Sequence, residues 1–387
     1  MSLLKLGLII NPVAGMGGAV GLKGTDGVLE EALARGAVPR AGARASRALE
    51  VLLSLKKEMV ILTPAGDMGE VIVKELGFGC QLLSPGNSKR INDVGMKNEP
   101  GASHSTTSED TRHAARELME TGVSLILFVG GDGTARDVYA AVGEKVSVVG
   151  VPAGVKIHSP VYALSPEKAG EMARRFLRRE IAQLKSEEVL DIDEAAYRRG
   201  SVSTRLYGYL RVPDEARLMQ GRKSGSSLAD EGAQKAIALR VVDSMAPDVV
   251  YVIGPGSTTR QVMAALDLPA TLLGVDLVLN RRLVGSDATE KEILTAIKGK
   301  ECRLVITPIG GQGYIFGRGN QQLSPAVIRQ AGREHVTIMA ALTKINALGG
   351  KPLMVDTGDE SLDLELEGYY KVMTGYKDSI MYSVKRS

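Results

Sequence analysis

Four continuous apolar runs, each closed by a turn built on glycine or proline, constrain this chain more than any other feature of its sequence. Leu4 to Ile10 opens into a turn-rich segment from Asn11 to Gly24, and Met59 to Leu62 stops at Thr63-Pro64-Ala65-Gly66. Leu125 to Val129 runs straight into Gly130-Gly131, and Val146 to Val151 ends at Pro152-Ala153-Gly154. Unbroken apolar runs of this length are what strands covered on both faces look like. Helical stretches lie between them, such as the one around Arg112 to Glu120. Strand and helix in alternation predict an α/β domain built on a parallel sheet.

At 387 residues the chain exceeds what one hydrophobic core usually serves, so two domains are expected. Ser165 reads as a helix N-cap with Pro166 at the first helical position. Ala169, Met172, Ala173, Phe176, Leu177, Ile181 and Leu184 then recur at helical spacing. This predicts a long helix linking the domains, with the boundary near residue 160, so that 1–160 is the α/β domain and 161–387 a mixed one. In the second part, Val249 to Ile253, Thr271 to Val275, Arg303 to Thr307 and Val336 to Met339 read as strands. Leu362, Leu364 and Leu366 alternate with Asp363, Glu365 and Glu367, which predicts a half-exposed strand.

Composition excludes several function classes. The net charge is +3 with the basic residues dispersed, aromatics are 4%, and tryptophan is absent, so neither a basic stripe nor a stacking platform for nucleic acid is present. No stretch approaches the roughly 20 apolar residues of a membrane helix. The start, Met1-Ser2-Leu3-Leu4-Lys5, lacks a signal-peptide pattern, and a cytoplasmic protein is expected. Cys80 and Cys302 lie far apart without metal-ligand spacing and read as reduced structural thiols.

Glycine is the informative excess: 45 residues, many at strand ends. In open α/β sheets ligands bind at the carboxyl ends of strands. Glycine there lets successive backbone N–H groups approach and cradle an anion. Five such loops occur, at Asn11 to Gly24, Gly130 to Thr134, Pro152 to Ser159, Gly254 to Thr259 and Pro308 to Gly319. Any one alone is an ordinary turn, but five together point to a nucleotide or phosphate site. The first loop fails G-x-G-x-x-G because Val20 stands at the last glycine, and no G-x-x-x-x-G-K-[ST] occurs. Asp132 stands out because packing gives no reason for a carboxylate in a glycine turn after an apolar strand. Phosphoryl transfer to a hydroxyl uses such a carboxylate to orient or deprotonate the hydroxyl, or to hold Mg²⁺. The competing reading is an Asp that caps a helix starting near Thr134. Lys156 is placed to meet a phosphate as a point charge. Lys23 and Asp26 read as binding residues. Arg260 and Arg318 flank later glycine loops and serve a phosphate or a surface ion pair, while His158 reads as structural.

The run Phe128-Val129-Gly130-Gly131-Asp132-Gly133-Thr134 resembles the signature shared by NAD kinases, diacylglycerol and sphingosine kinases and phosphofructokinases. Asn11-Pro12-Val13-Ala14-Gly15 is similar to the loop that opens several members of that superfamily. Nearly end to end, the chain resembles the ATP-NAD kinases of the acetoin-catabolism protein X type. The stretches that carry this are Gly21 to Gly27, Pro152 to Ser159, Arg205 to Tyr209, Gly254 to Arg260 and Gly311 to Gln322.

The resemblance implies a Rossmann-like N-terminal domain, a β-rich C-terminal domain whose last segment packs back on the first, and an active site between them. It implies ATP or polyphosphate as donor, Mg²⁺ with the donor, the 2′-hydroxyl of NAD as acceptor, and a homo-oligomer. Asp132 is then the base or hydroxyl-orienting carboxylate. Asn11, Pro12, Gly15, Lys23, Asp26, Gly130, Gly131, Gly133, Thr134 and Lys156 become nucleotide- or phosphate-binding residues. So do Gly254, Gly256, Ser257, Thr258, Thr259, Gly311, Gln312, Gly313 and Asn320 in the second half. Asp248 fits the nucleotide loop's preceding strand, and a competing alignment places Thr307-Pro308-Ile309-Gly310 there instead. NAD kinases carry an Asn-Glu pair after the glycine signature; here Asn98-Glu99 precedes it. Another alcohol as acceptor, or a nucleotide-binding regulator without turnover, are the alternative readings.

Overall fold

A computed structural model describes residues 3–20, 29–84, 106–154, 157–192, 204–215, 218–219, 228–271, 273–309 and 312–387. The chain separates into two compact units, one of residues 1–15 with 39–220, the other of 16–38 with 221–387. The break in the second half of the chain therefore falls at 220/221, not near 160.

The first unit carries an all-parallel sheet of five strands: β1 (Leu4–Ile10), β2 (Met59–Thr63), β3 (Gly79–Leu82), β4 (Leu125–Gly130) and β5 (Val148–Pro152), in the order β3-β2-β1-β4-β5. All six residues of β4 and all five of β5 are buried, which is why they read as unbroken apolar runs. The strand order reverses between β1 and β4, and in doubly wound sheets the ligand crevice lies at the carboxyl ends at such a point. The Ser165 side chain caps the Pro166–Leu177 helix as read from sequence. That helix packs within the first unit against Ala41–Glu50, and it stops at Leu177 because Arg179 turns left-handed at φ 59°. Ile181 and Leu184 are outside it. Leu184 instead opens an antiparallel hairpin of β6 (Leu184–Ile192) and β7 (Thr204–Pro213).

The second unit is β-rich. Its mixed sheet has nine strands: β8 (Val250–Ile253), β9 (Asp276–Leu279), β10 (Arg282–Gly285), β11 (Cys302–Ile306), β12 (Tyr314–Phe316), β13 (Val336–Met339), β14 (Leu353–Val355), β15 (Gly368–Met373) and β16 (Ser379–Arg386). Their order is β10-β9-β8-β11-β13-β15-β16-β14-β12. The last two strands belong to this sheet as an antiparallel pair. Two local readings change here. Of the expected strand Thr271 to Val275, the described residues 271 and 273–275 form none: Thr271 turns back to donate through its N–H and hydroxyl to the Asp276 carboxylate. The leucine alternation at 362–366 forms the Glu360–Glu365 helix, started by Asp359, which accepts from the Leu362 N–H. Leu362 and Leu366, four apart, are buried together while Leu364 is 57% exposed, the helical answer to a pattern that alternation alone assigns to a strand. Both cysteines are free thiols, and burial pushes the Cys302 thiol up. Among the described residues no helix is long and apolar enough to cross a membrane.

Candidate functional site

The glycine turn after β4 sits at the switch point of the first sheet. The helix it starts begins at Asp132, not at Thr134, and runs to Val142 with Gly131 at the N-cap position. Gly131 has no side chain, so nothing caps the first N–H groups of this helix, and they remain donors for an anion. The Asn11 N–H donates to Val129 O (3.0 Å), and its side-chain amide donates to Thr134 Oγ1 (3.1 Å), which joins the turn after β1 to the turn after β4. A Cβ on Gly130 would lie 2.2 Å from Thr134 Oγ1, so that glycine makes room for the hydroxyl Asn11 holds.

The loop after β5 closes onto the same turn. A Cβ on Gly154 would come within 2.7 Å of Gly131 Cα, and one on Gly15 within 2.0 Å of Ala153 O. Three glycine loops that sequence lists separately are thus packed backbone to backbone. Their glycines are required for this approach whatever they bind. The Gly131 carbonyl accepts from the Tyr162 hydroxyl. Burial, then the nearby Asp132 and Asp191 carboxylates, push that phenol well above its ordinary range, so it stays a neutral donor.

Asp132 is 5% exposed and does not cap its own helix. Its Oδ2 accepts from the His158 N–H (2.7 Å) and lies 3.0 Å from His158 Nδ1. Its Oδ1 accepts from the Ser159 N–H (3.0 Å) and lies 2.7 Å from Ser159 Oγ. Ser159 Oγ in turn accepts from the Leu190 N–H (3.0 Å) and is 2.7 Å from Leu190 O, so its single proton serves either the carboxylate or that carbonyl. A carboxylate offers about four acceptor positions; here two take backbone N–H groups, and the His158 ring and the Ser159 hydroxyl lie against the others. His158 and Ser159 are the residues that sequence reasoning undervalued. The signal lay in the Pro152 to Ser159 stretch, which the resemblance had already marked.

In the second unit, β8 and β11 are adjacent and parallel, and their following loops meet. A Cβ on Gly256 would lie 2.6 Å from Thr307 Cγ2, so the two competing alignments, at Gly254 to Thr259 and at Thr307, describe one place. Gly256, at φ 137°, starts the Ser257–Ala265 helix without a side-chain cap, and Thr258 and Thr259 are buried in its first turn. Lys344 donates to Thr307 Oγ1 (3.0 Å) and brings a cation there; nothing in its local sequence marks it. Asp248 is elsewhere, exchanging hydrogen bonds with Asn280 in an exposed turn. Gln312, Gly313 and Asn320 hold their own loop: the Gly313 N–H donates to Ile309 O, and the Asn320 amide to Ile315 O (2.8 Å). Beside them Arg318 lies over the Tyr314 ring at 4.3 Å, buried near Asp356. Lys23, Asp26, Lys156 and Gly311 lie outside the described residues.

Comparison with known proteins adds two sequence matches. Residues 6–181 match the ATP-NAD kinase N-terminal domain, and residues 247–384 match the ATP-NAD kinase C-terminal domain. No individual characterised protein matches the chain. Both halves of the fold thus fall in one family in the right order, and this chain belongs to the ATP-NAD kinases.

Proposed function

We propose that the protein transfers a phosphoryl group from ATP or polyphosphate to the 2′-hydroxyl of NAD, giving NADP, in the manner of the acetoin-catabolism protein X type of NAD kinase. Membership of a kinase family supports the reaction type. The observation that carries the reading is the turn at Gly130 to Thr134. Uncapped helix N–H groups and a buried carboxylate stand side by side at the sheet's switch point. Positive dipole ends suit phosphoryl oxygens, and phosphoryl transfer is chiefly a matter of positioning and charge stabilisation. Gly256 to Thr259, with Lys344 close by, offers a second set of donors for a nucleotide phosphate.

Magnesium carried on the donor's phosphates supplies charge neutralisation. Asp132 does not fit as its direct ligand, since protein donors face both carboxylate oxygens. The described residues also hold no group of three or more acidic, histidine or cysteine side chains able to cage a metal. The test is a coupled assay: purified protein with ATP or polyphosphate, Mg²⁺ and NAD, with NADP read by an NADP-specific dehydrogenase. NADP formation is the expected result. Donor-dependent phosphorylation of other alcohols, with no NADP, moves the acceptor away from NAD.

A further inference from the structure

We infer that Arg205, held on the ring of Tyr207, forms an anion subsite beside the glycine turn that takes a phosphate group of the acceptor; this rests on the phosphotransferase reading above. Such a subsite selects a phosphorylated alcohol, a nucleotide for example, over a plain polyol or a lipid alcohol. The stretch Arg205 to Tyr209 is one of those that carry the family resemblance, and the turn at Asp132 gives it no task.

Tyr207 stands at a break in the β6–β7 ladder. Val189 pairs with Gly208, and the next residue, Leu190, pairs with Leu206, so Tyr207 is the extra residue of a β-bulge. Bulges re-aim a side chain out of the strand's alternation. The hairpin is pressed onto the helix that begins at Asp132: a Cβ on Gly208 would lie 2.0 Å from Tyr139 Cζ. From that same helix the Arg136 guanidinium lies over the Tyr207 ring, 5.5 Å from its centre. Arg205 lies over the ring as well, at 5.4 Å.

The two arginines are not equivalent. Asp191 sits directly across from Arg205 in the ladder, yet its Oδ2 accepts from Arg136 Nη1 (3.1 Å). Arg136 therefore anchors the ring to the helix, while Arg205 is exposed. Contact with the ring works through the ring's quadrupole and leaves the guanidinium's N–H fork available for phosphate oxygens.

Two connections place this cation beside the reacting centre. Leu190, at the bulge, exchanges hydrogen bonds with Ser159, whose N–H donates to the Asp132 carboxylate. Arg136 stands four residues after Asp132 in one helix, about 6 Å along its axis. A nucleotide spans a comparable distance between a ribose hydroxyl and its own phosphate. A simple alcohol has nothing to place on the arginine.

The test uses the full chain and two probes that share a 2′-hydroxyl, NAD with its diphosphate and adenosine with none. Titration calorimetry reads binding and the coupled assay reads turnover. Arg205→Ala should weaken NAD binding and raise KM for NAD by about 10- to 100-fold with kcat little changed, the scale of a lost hydrogen bond to a charged group. Adenosine should bind wild type and variant alike. Arg205→Lys keeps the charge without the fork and should recover part of the loss. Undiminished NAD binding in Arg205→Ala, or equal losses for NAD and adenosine, overturns the subsite, and so does a wild type that binds no NAD. A wild type that makes no NADP yet binds NAD through Arg205 refutes NAD as the phosphoryl acceptor and leaves the subsite standing.

Discussion

Replacing Asp132 by asparagine is the usual mild change for a carboxylate, and in this site it should be a severe one. Each carboxylate oxygen accepts from a backbone N–H, His158 on Oδ2 and Ser159 on Oδ1. The serine hydroxyl can rotate and the imidazole can change tautomer, but a backbone N–H can only donate. Whichever way the asparagine amide turns, its NH₂ group faces one of these N–H groups. The NH₂ itself can donate to the rotated Ser159 hydroxyl or to the imidazole, so one backbone donor is stranded, and a buried donor left unsatisfied costs about 1–3 kcal/mol. Losing a negative charge from the first turn of the Asp132–Val142 helix adds about 0.3–1 kcal/mol. Against a total stability of about 5–15 kcal/mol this is a large fraction for one substitution. The direct assay is amide hydrogen exchange at His158 and Ser159. At about 1.4 kcal/mol per tenfold, about 2 kcal/mol lowers protection roughly 30-fold at one of the two amides. Thermal unfolding followed by circular dichroism gives the global effect, since the chain has no tryptophan to report by fluorescence. Protection within about threefold of wild type at both amides, with an unchanged midpoint, would refute the convergence of donors on this carboxylate.

Three further outcomes follow from the geometry. Gly154→Ala puts a methyl 2.7 Å from Gly131 Cα, backbone that cannot step aside as a side chain can. It should cost about 1–3 kcal/mol of stability, the usual scale of overpacking, and an unshifted melting curve would contradict the close approach. Leu362→Ala should destabilise by about 2–5 kcal/mol and Leu364→Ala hardly at all, because only the first is buried; equal effects would favour the strand that alternation suggests. The Arg329 guanidinium, helped by the Leu362 N–H, holds the Asp359 carboxyl down at about 2. A lowered folded value means that this group's contribution is complete above the unfolded value near 3.9 and is lost as pH falls from there towards about 2. Arg329→Gln should raise the Asp359 titration midpoint seen by NMR; an unmoved midpoint rules out the pairing.

Four of the five strands of the first sheet were legible because they are largely buried, whereas β3, mostly exposed at the sheet edge, leaves no apolar run to read. Continuous burial writes an unbroken apolar run, and the ends of β1, β2 and β4 fall within a residue of those runs. The caps were legible for the same local reason: Ser165 and Pro166 specify a helix start by their own chemistry. Where burial is one-sided, the sequence misleads. Leucines at 362, 364 and 366 fit a strand by alternation, and the helix follows only because Asp359 caps the turn and leucines four apart share a face.

The site divides in the same way. The sequence by itself determined that Asp132 stands in a glycine turn after a buried strand, because that is a matter of neighbours along the chain. Tertiary structure alone decided what the carboxylate touches there. The loop holding Ser159 and His158 reaches it from 26 residues away, Asn11 reaches Thr134 across 123 residues, and Lys344 meets Thr307 across 37. Hydrogen bonds depend on distance in space, and no spacing in a single sequence records which strand ends the sheet order brings together.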